Sequence, residues 1–411
     1  MFEATQHRRA PARRLLGQTA RAISLLVTLS VGIGPRVAAA APYTPNDGST
    51  VLATIPASAR HTSTAIRHRA SERLDVALPL ARLYIQEARS SGDLRFLGYA
   101  EATLAPWVKP APDRRADPGA RVWGPSADAL VLQATIQQSR HDFAGALDTL
   151  RQALVLRPED PQAWLTSATV LRVLGRFAEA RGACRRLSLS VGAAAMELCS
   201  RPVDALSGSL AASYERVRSV SSQGMPNEER AWRDSELGEM AVRLGRDAEA
   251  EHWFKNGLQF SPADFYVRAA YADLLLGQRR SRDALALLQG RESLEPLLLR
   301  VALAQKDLRE PGLSESRARL AAAFASEAQR GEGIHRREEA RFLLDVVGDA
   351  RGALRAALAN WQVQHEVDDV LVLIRAAKAA GDPSAAVPAM QFVRQHHLED
   401  VRIAAAMEDR A

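Results

Sequence analysis

The sequence repeats itself with a period of 34 residues, and this constrains the fold more than any other feature. Residues 127–192 align with themselves at that shift, and residues 231–291 do the same. The residues that fall on each other are Leu130 and Trp164, Ala134 and Ala168, Phe143 and Phe177, Ala146 and Ala180, Leu150 and Cys184, and then Gly238 and Ala272, Ala250 and Ala284, and Phe254 and Leu288. Such a period is typical of arrays in which each unit is one supersecondary element and neighbours stack.

The pattern predicts two helices in each unit. Residues 127–140 and 143–156 carry apolar side chains at i, i+3, i+4 and i+7 spacing, as amphipathic helices do. Pro158 and Pro262 close their units, because proline does not continue a helix. The recurring alanines and Gly238 are predicted at the closest approach of the two helices, where a larger side chain would push the pair apart. Aromatic residues make up only 5% of the chain, which also favours closely packed helices over a β-sandwich.

These residues resemble the tetratricopeptide repeat (TPR) family, whose signature is W-x2-L-G-x2-Y, then A-x3-F, then a closing proline. Ala250, Phe254 and Pro262 match the second half of the signature. Leu237 and Gly238 match its Leu-Gly pair. The resemblance implies an all-α solenoid of TPR-like helical hairpins, a right-handed superhelix of roughly eight helix pairs.

The composition and the repeat pattern together predict how the chain is divided. We expect a signal peptide at 1–40, a poorly ordered leader at 41–73, a first helix pair at 74–108, a Pro-rich loop at 109–126, TPR-like repeats at 127–292 with an atypical unit at about 191–226, and degenerate helical repeats at 293–405. Gly-Asp pairs at 348–349 and 381–382 each separate two amphipathic segments. The array is therefore expected to continue nearly to the end of the chain.

The first forty residues have the pattern of a secretory signal peptide. An arginine-bearing segment precedes an apolar stretch at 22–34 and small residues at 38–41, which predicts cleavage near Ala40. The apolar stretch has about 13 residues, whereas a membrane span needs roughly 20, so no stable span is expected after cleavage. We therefore expect a periplasmic or secreted bacterial protein. The choice between the general secretory route and the twin-arginine route stays open.

The charge distribution bears on the kind of partner. The first forty residues hold six of the 54 basic residues and one of the 48 acidic residues, which leaves a net charge of +1 on the rest. A nearly neutral body lacks the field that drives binding to phosphates, so nucleic acid is not an expected partner.

The resemblance also implies where a partner would bind. In the TPR family the first helices of the units line a concave groove, the usual site of a protein or peptide ligand. The positions of this chain that correspond are Gln138, Gln162, Thr169, Arg172, Trp232, Glu239, Arg243, Tyr266 and Asp273. Trp232 and Tyr266 occupy the same position in two successive units. Aromatic residues of this kind are enriched in interface hot spots. Packing between repeats is the alternative interpretation of both rings.

No residue pattern points to catalysis. The sequence has no Gly-rich phosphate loop, no G-x-S-x-G and no H-E-x-x-H, and neither a cofactor nor a resident metal is expected. The hypothesis is a non-catalytic scaffold that binds a protein or peptide partner in the cell envelope. Two alternatives stay open. One is a docking subunit of a cell-envelope enzyme, and the other is a carrier of a small ligand or metal that uses the groove or the adjacent His396 and His397.

The chain has two cysteines, and their positions suggest that they pair. Cys184 falls on the second helix of its unit at a position that faces the next unit. Cys199 falls on a short predicted helix, 191–200, that would pack there. Exported proteins commonly oxidise such pairs, so a Cys184–Cys199 disulfide is expected. Two buried free thiols are the alternative.

Overall fold

Residues 64–109, 124–331 and 333–408 are described by the computed structural model of the chain. They all belong to one structural unit, Ala40–Ala411. The predicted signal peptide and its cleavage site, the leader as far as residue 63, and residues 110–123 of the Pro-rich loop lie outside the described residues.

The described residues form twenty α-helices and no strand. The helices are α1 (Thr64–Glu72), α2 (Leu74–Ser91), α3 (Arg95–Val108), α4 (Ala127–Ser139), α5 (Phe143–Leu156), α6 (Pro161–Val173), α7 (Phe177–Ser190), α8 (Ala193–Ala205), α9 (Leu210–Ser219), α10 (Asn227–Arg243), α11 (Asp247–Phe260), α12 (Phe265–Gly277), α13 (Ser281–Leu288), α14 (Glu295–Leu308), α15 (Leu313–Gln329), α16 (Arg336–Arg341), α17 (Ala350–Trp361), α18 (Val367–Ala379), α19 (Val387–His396) and α20 (Val401–Glu408). A π-helical turn, Phe342–Val347, continues α16, and a 3₁₀ turn, Pro383–Ala386, leads into α19.

Consecutive helices pair as hairpins, and the hairpins stack. From α2 with α3 to α18 with α19 there are nine hairpins in the described part of the chain, with α1 and α20 at its two ends. The first helix of each hairpin also contacts the first helix of the next, from α2 and α4 through to α16 and α18. This arrangement confirms the predicted all-α solenoid of helical hairpins, since each hairpin buries its apolar face against its neighbours.

The small residues that recur in the sequence lie where the two helices of a hairpin come closest. The buried alanines at these positions are Ala134, Ala168 and Ala272 on first helices and Ala146, Ala180, Ala250 and Ala284 on second helices. Gly238 is the tightest case, because a methyl group there would lie 2.4 Å from Cε1 of Phe254 on the second helix. The repeat period therefore reflects the spacing of helix–helix contacts.

Replacing Gly238 with alanine should overpack the contact with Phe254, at a cost of about 1–3 kcal/mol relative to a helical glycine-to-alanine change without a collision. The gain of about 1 kcal/mol that alanine brings over glycine in a helix is common to both changes. Urea denaturation checks it. Gly277→Ala is the matched control, since no atom lies within 4 Å of the added methyl group. Equal stability of the two variants would contradict the packing argument.

Two helices extend beyond the predicted pattern. Helix α1 lies at the end of the range assigned to the leader, and the Trp107 indole nitrogen donates to the Ala70 carbonyl at 3.2 Å. Helix α8 continues past Pro202 to Ala205, whereas the sequence predicts an end at residue 200. Val203 and Ala205 are both buried, and this packing offsets the cost of the proline.

Candidate partner-binding site

First helices that are two hairpins apart face each other across an inner surface. Arg172 of α6 donates from Nη1 to Glu236 Oε1 of α10 at 2.6 Å. Arg341 of α16 donates from Nη2 to Asp273 Oδ1 of α12 at 2.7 Å. Both pairs join residues of first helices, so ion pairs between charged side chains connect distant hairpins across the inner surface of the solenoid. Nothing in the 34-residue period predicts these non-local pairs.

One part of this inner surface remains accessible, and we call it the recess. It is formed by Arg172, Glu236, Glu239, Tyr266 and Glu366, from α6, α10, α12 and the start of α18. The hydroxyl of Tyr266 lies near the carboxylate of Glu239, and the two groups interact electrostatically. Tyr266 is 46% exposed, whereas Glu236 of the same recess is buried. The recess therefore exposes the aromatic ring of Tyr266, and charged side chains surround that ring.

The electrostatics of the recess centre on Glu239. Desolvation, and after it the carboxylate of Glu236, raise the pKa of Glu239 from 4.5 to about 7. The Arg172 guanidinium and the Tyr266 hydroxyl act in the opposite direction. The negative charge of Glu239, together with desolvation, raises the pKa of Tyr266 well above its ordinary value. The recess thus holds a carboxyl group that changes its charge near neutral pH.

A change of Glu239 to glutamine should alter how stability depends on pH. A carboxyl group with a raised pKa takes up a proton on folding, so wild-type stability falls as the pH rises from 4.5 to about 7. Glu239→Gln lacks this dependence, and we expect it to gain stability relative to wild type over that interval. Urea denaturation at several pH values measures the difference. Glu159→Gln, on the exposed surface, controls for the loss of one charge, and parallel profiles for all three proteins would contradict the expectation.

Arg243 and Asp273, both predicted to line the groove, join distant parts of the chain. Arg243 is only 6% exposed, and its Nη2 donates to the carbonyl oxygens of Ala205 at 2.6 Å and Glu399 at 3.0 Å. Desolvation lowers the pKa of Arg243 to about 10. Asp273 accepts hydrogen bonds from Arg300 and Arg341. These two side chains hold parts of the solenoid together.

The other predicted positions differ in what they contact. Gln162 is exposed and donates to Thr166 Oγ1 at 3.3 Å. Thr169 donates to the backbone of its own helix, and Gln138 is half-buried. Trp232 packs against two apolar clusters, and its indole nitrogen donates to Glu236 at 3.2 Å. Arg172, Glu239 and Tyr266 are therefore the predicted residues that the structure brings together in an accessible place.

The predicted disulfide is confirmed. Cys184 of α7 and Cys199 of α8 are bonded, with their Cα atoms 5.5 Å apart. Both side chains are buried against Phe177 and Val203. The bond ties the last regular hairpin before the atypical unit to the first helix of that unit.

The described residues offer little for metal chemistry. No group of three or more His, Cys, Asp or Glu side chains among them is placed to hold a metal ion. His396 packs against the rings of Phe177 and Phe392, with centroid distances of 4.8 and 4.4 Å. None of the helices described is both long and apolar enough to cross a membrane.

Comparison with known proteins found similarity to solved structures, and no match of the other kinds. No protein-family model matches the sequence, and no curated protein matches it. PilF of Pseudomonas aeruginosa is 18% identical with a TM-score of 0.31, over 64% of this chain and 96% of that one. A tetratricopeptide repeat protein from Parabacteroides merdae is 12% identical with a TM-score of 0.33, over 72% and 99%. Yeast Tom70 is 11% identical with a TM-score of 0.38, over 83% of each chain. The fold assignment rests on the hairpins themselves.

Proposed function

We propose that this protein is an exported, non-catalytic scaffold that binds a protein or peptide segment at the recess. The observation that carries the proposal is the half-exposed ring of Tyr266 on an inner surface where the neighbouring side chains are paired. Export rests on the signal-peptide pattern of the first forty residues. Cell fractionation and the intact mass of the recovered protein test the export.

The recess combines the features by which interfaces gain affinity. Tyrosine is one of the residue types enriched in hot spots, where a central aromatic ring is surrounded by contacts that exclude water. The Arg172–Glu236 pair and Glu239 surround Tyr266 and supply polar groups of both signs. A partner segment that covers the ring would make apolar contact with Tyr266, and the surrounding charges would orient it.

A photo-reactive phenylalanine analogue at position 266 identifies the partner directly. We expect crosslinks from position 266 to one protein of the cell envelope, and none from the analogue at Leu83, which is 55% exposed on α2. With that protein purified, Tyr266→Ala should weaken binding about 30-fold, the effect of removing a central aromatic contact of about 2 kcal/mol. Leu83→Ala is the matched control.

Helical circular dichroism and the melting temperature of Tyr266→Ala should stay close to those of wild type, because the ring is half-exposed. Trp232→Ala should lower the melting temperature, since that ring packs against two apolar clusters. Unchanged affinity with an intact fold would place the binding surface outside the recess and contradict the proposal.

A further inference from the structure

Two tyrosine–glutamate pairs outside the recess include a basic side chain of the same chain. In the first pair the hydroxyl of Tyr214 donates to Glu249. The guanidinium of Arg246 lies over the Tyr214 ring, 5.1 Å from its centroid, and it is 3.8 Å from the Glu249 carboxylate. One arginine therefore interacts with both the aromatic ring and the carboxylate.

The second pair is formed by Tyr271 and Glu251. The Tyr271 hydroxyl donates to Glu251 at 2.8 Å. The same carboxylate is 2.6 Å from Arg280 and 2.7 Å from Lys255. Arg280 and Lys255 outweigh desolvation and lower the pKa of Glu251 to about 2. This glutamate, too, is held in its ionised form by basic side chains of the chain itself.

Tyr266 and Glu239 of the recess form a third pair, in which the chain supplies no such basic side chain. Among the described residues, none lies with its cation over the Tyr266 ring, and none forms an ion pair with Glu239. Arg172 acts on Glu239 electrostatically, but its guanidinium is paired with Glu236 at 2.6 Å. The recess therefore has no counterpart of Arg246.

The charges around Glu239 are paired elsewhere. The charged and titratable side chains that face it are Arg172 of α6, Glu236 and Arg243 of α10, Tyr266 of α12, and Glu366 at the start of α18. Arg243 donates to backbone carbonyl oxygens, and Glu366 is paired with Arg337 at 2.8 Å. Because desolvation and the Glu236 carboxylate disfavour the charge of Glu239, a cation from a partner would stabilise its ionised form.

The recess is accessible to such a cation, since Tyr266 is half-exposed and Glu239 is half-buried. A cation above an aromatic ring is attracted by the ring electrons, and the planar guanidinium of arginine also stacks on rings and donates several hydrogen bonds. Each cation–ring contact found among the described residues uses an arginine. We propose that the recess binds an arginine side chain of the partner segment, with its guanidinium over the Tyr266 ring and paired with Glu239. This inference rests on the proposed function in treating the recess as the site where the partner binds.

A capped amino acid tests this chemistry without the partner. Nα-acetyl-arginine amide carries the side chain between neutral ends, as a polypeptide does, and Nα-acetyl-citrulline amide has nearly the same shape without the charge. Saturation-transfer NMR, with each probe at up to tens of millimolar, measures weak binding to the wild-type protein. At about pH 8 the arginine derivative should bind about tenfold more tightly than the citrulline derivative, the combined effect of one cation–ring contact and one ion pair.

The preference for arginine should also depend on pH. A cation pairs with the ionised form of Glu239, and the pKa of this carboxyl group is raised to about 7. Affinity for the arginine derivative should therefore rise about tenfold from about pH 6 to about pH 8, as the ionised fraction increases. Affinity for the citrulline derivative should stay constant over that interval.

Matched variants assign the effect to the recess. Glu239→Gln should abolish both the preference for arginine and its pH dependence. Glu159→Gln, on the exposed surface, removes one carboxylate elsewhere and should change neither. Tyr266→Phe should weaken binding less than Tyr266→Leu does, because phenylalanine keeps an aromatic ring. Circular dichroism of each variant checks that the helices are intact.

Absence of binding by the arginine derivative, equal binding of the citrulline derivative, or tighter binding of the corresponding lysine derivative would overturn the inference. So would an unchanged preference for arginine in Glu239→Gln. Tighter binding of free arginine than of the capped form would also overturn it, since that result would indicate a site for a small ligand.

These results are independent of the crosslinking experiment at position 266. Crosslinks to one envelope protein, together with no preference for arginine, would reject the arginine assignment and leave the recess as the site of binding. A preference for arginine without crosslinks would support the cation site and contradict the proposed function.

Discussion

Replacement of Asp273 by alanine should lower the free energy of unfolding by about 3 kcal/mol, the lower end of the cost of removing one partner from a buried ion pair, because its own side chain is 22% exposed. Its carboxylate accepts from Arg300 Nη2 at 2.6 Å and from Arg341 Nη2 at 2.7 Å. These two arginine side chains are 7% and 17% exposed, so both would keep a positive charge with little access to water. Chemical denaturation of wild type and variant measures the loss.

Asp283→Ala is the matched control for that experiment. Asp283 pairs with Arg280 at 2.8 Å, but its side chain is 55% exposed, and exposed ion pairs contribute about 0–1 kcal/mol. A loss at Asp273 no larger than at Asp283 would show that water reaches the Arg300–Asp273–Arg341 triad freely.

The contribution of the same triad to stability should depend on pH in the acid range, and the pKa shift of Asp273 fixes the direction of that dependence. Desolvation is outweighed by Arg300 and Arg341, which hold the pKa of Asp273 well below its usual value of 3.8. A carboxyl group with a lowered pKa contributes stability that is present above 3.8 and is lost as the pH falls below it. We therefore expect the stability difference between wild type and Asp273→Asn to be constant near neutral pH and to shrink in acid below about pH 4.

The fold could be predicted from the sequence because its determinants are local. Ala134 and Ala146, or Ala168 and Ala180, are 12 residues apart in the sequence, and each pair marks the closest approach within one hairpin. A period of 34 residues repeats that local contact and is visible in a single sequence. The same holds for the Cys184–Cys199 pair, which joins two consecutive helices.

The inner surface could be predicted only in part, because its contacts are not local. Asp273 and Arg341 are 68 residues apart, and Arg243 and Glu399 are 156 residues apart. The repeat pattern places Asp273 and Arg243 on the inner side of their helices. It carries no information about which distant hairpin meets them there. Glu236, Arg300 and Arg341 were therefore absent from the predicted site.

Trp232 and Tyr266 show why equal positions in a repeat need not have equal roles. Trp232 stands on the hairpin that follows the atypical unit, and its ring packs against the two apolar clusters on either side. Tyr266 stands one repeat later, between regular hairpins, and its ring is left half-exposed beside Glu239. The surroundings of each unit thus decide whether an aromatic ring is packed inside the solenoid or left exposed.

Removal of the disulfide should destabilise the protein by about 3 kcal/mol, the chain-entropy value for a loop closed over roughly 15 residues. Cys184→Ala/Cys199→Ala is the informative variant, because it leaves no free thiol and both side chains are buried where alanine fits. In a solenoid each hairpin depends on its neighbours, so the loss should be concentrated in α7 and α8. Native-state hydrogen exchange should show faster exchange of their backbone amides.

The control for that experiment lies in the same molecule. Amides of α17 and α18 belong to a separate apolar cluster and should keep their protection in the double alanine variant. Mild reduction of the wild type should reproduce the faster exchange of α7 and α8, since it removes the same covalent constraint. Uniform loss of protection along the whole array would mean that the solenoid unfolds as one cooperative unit. No change in α7 and α8 would mean that the hairpin packing alone holds the atypical unit in place.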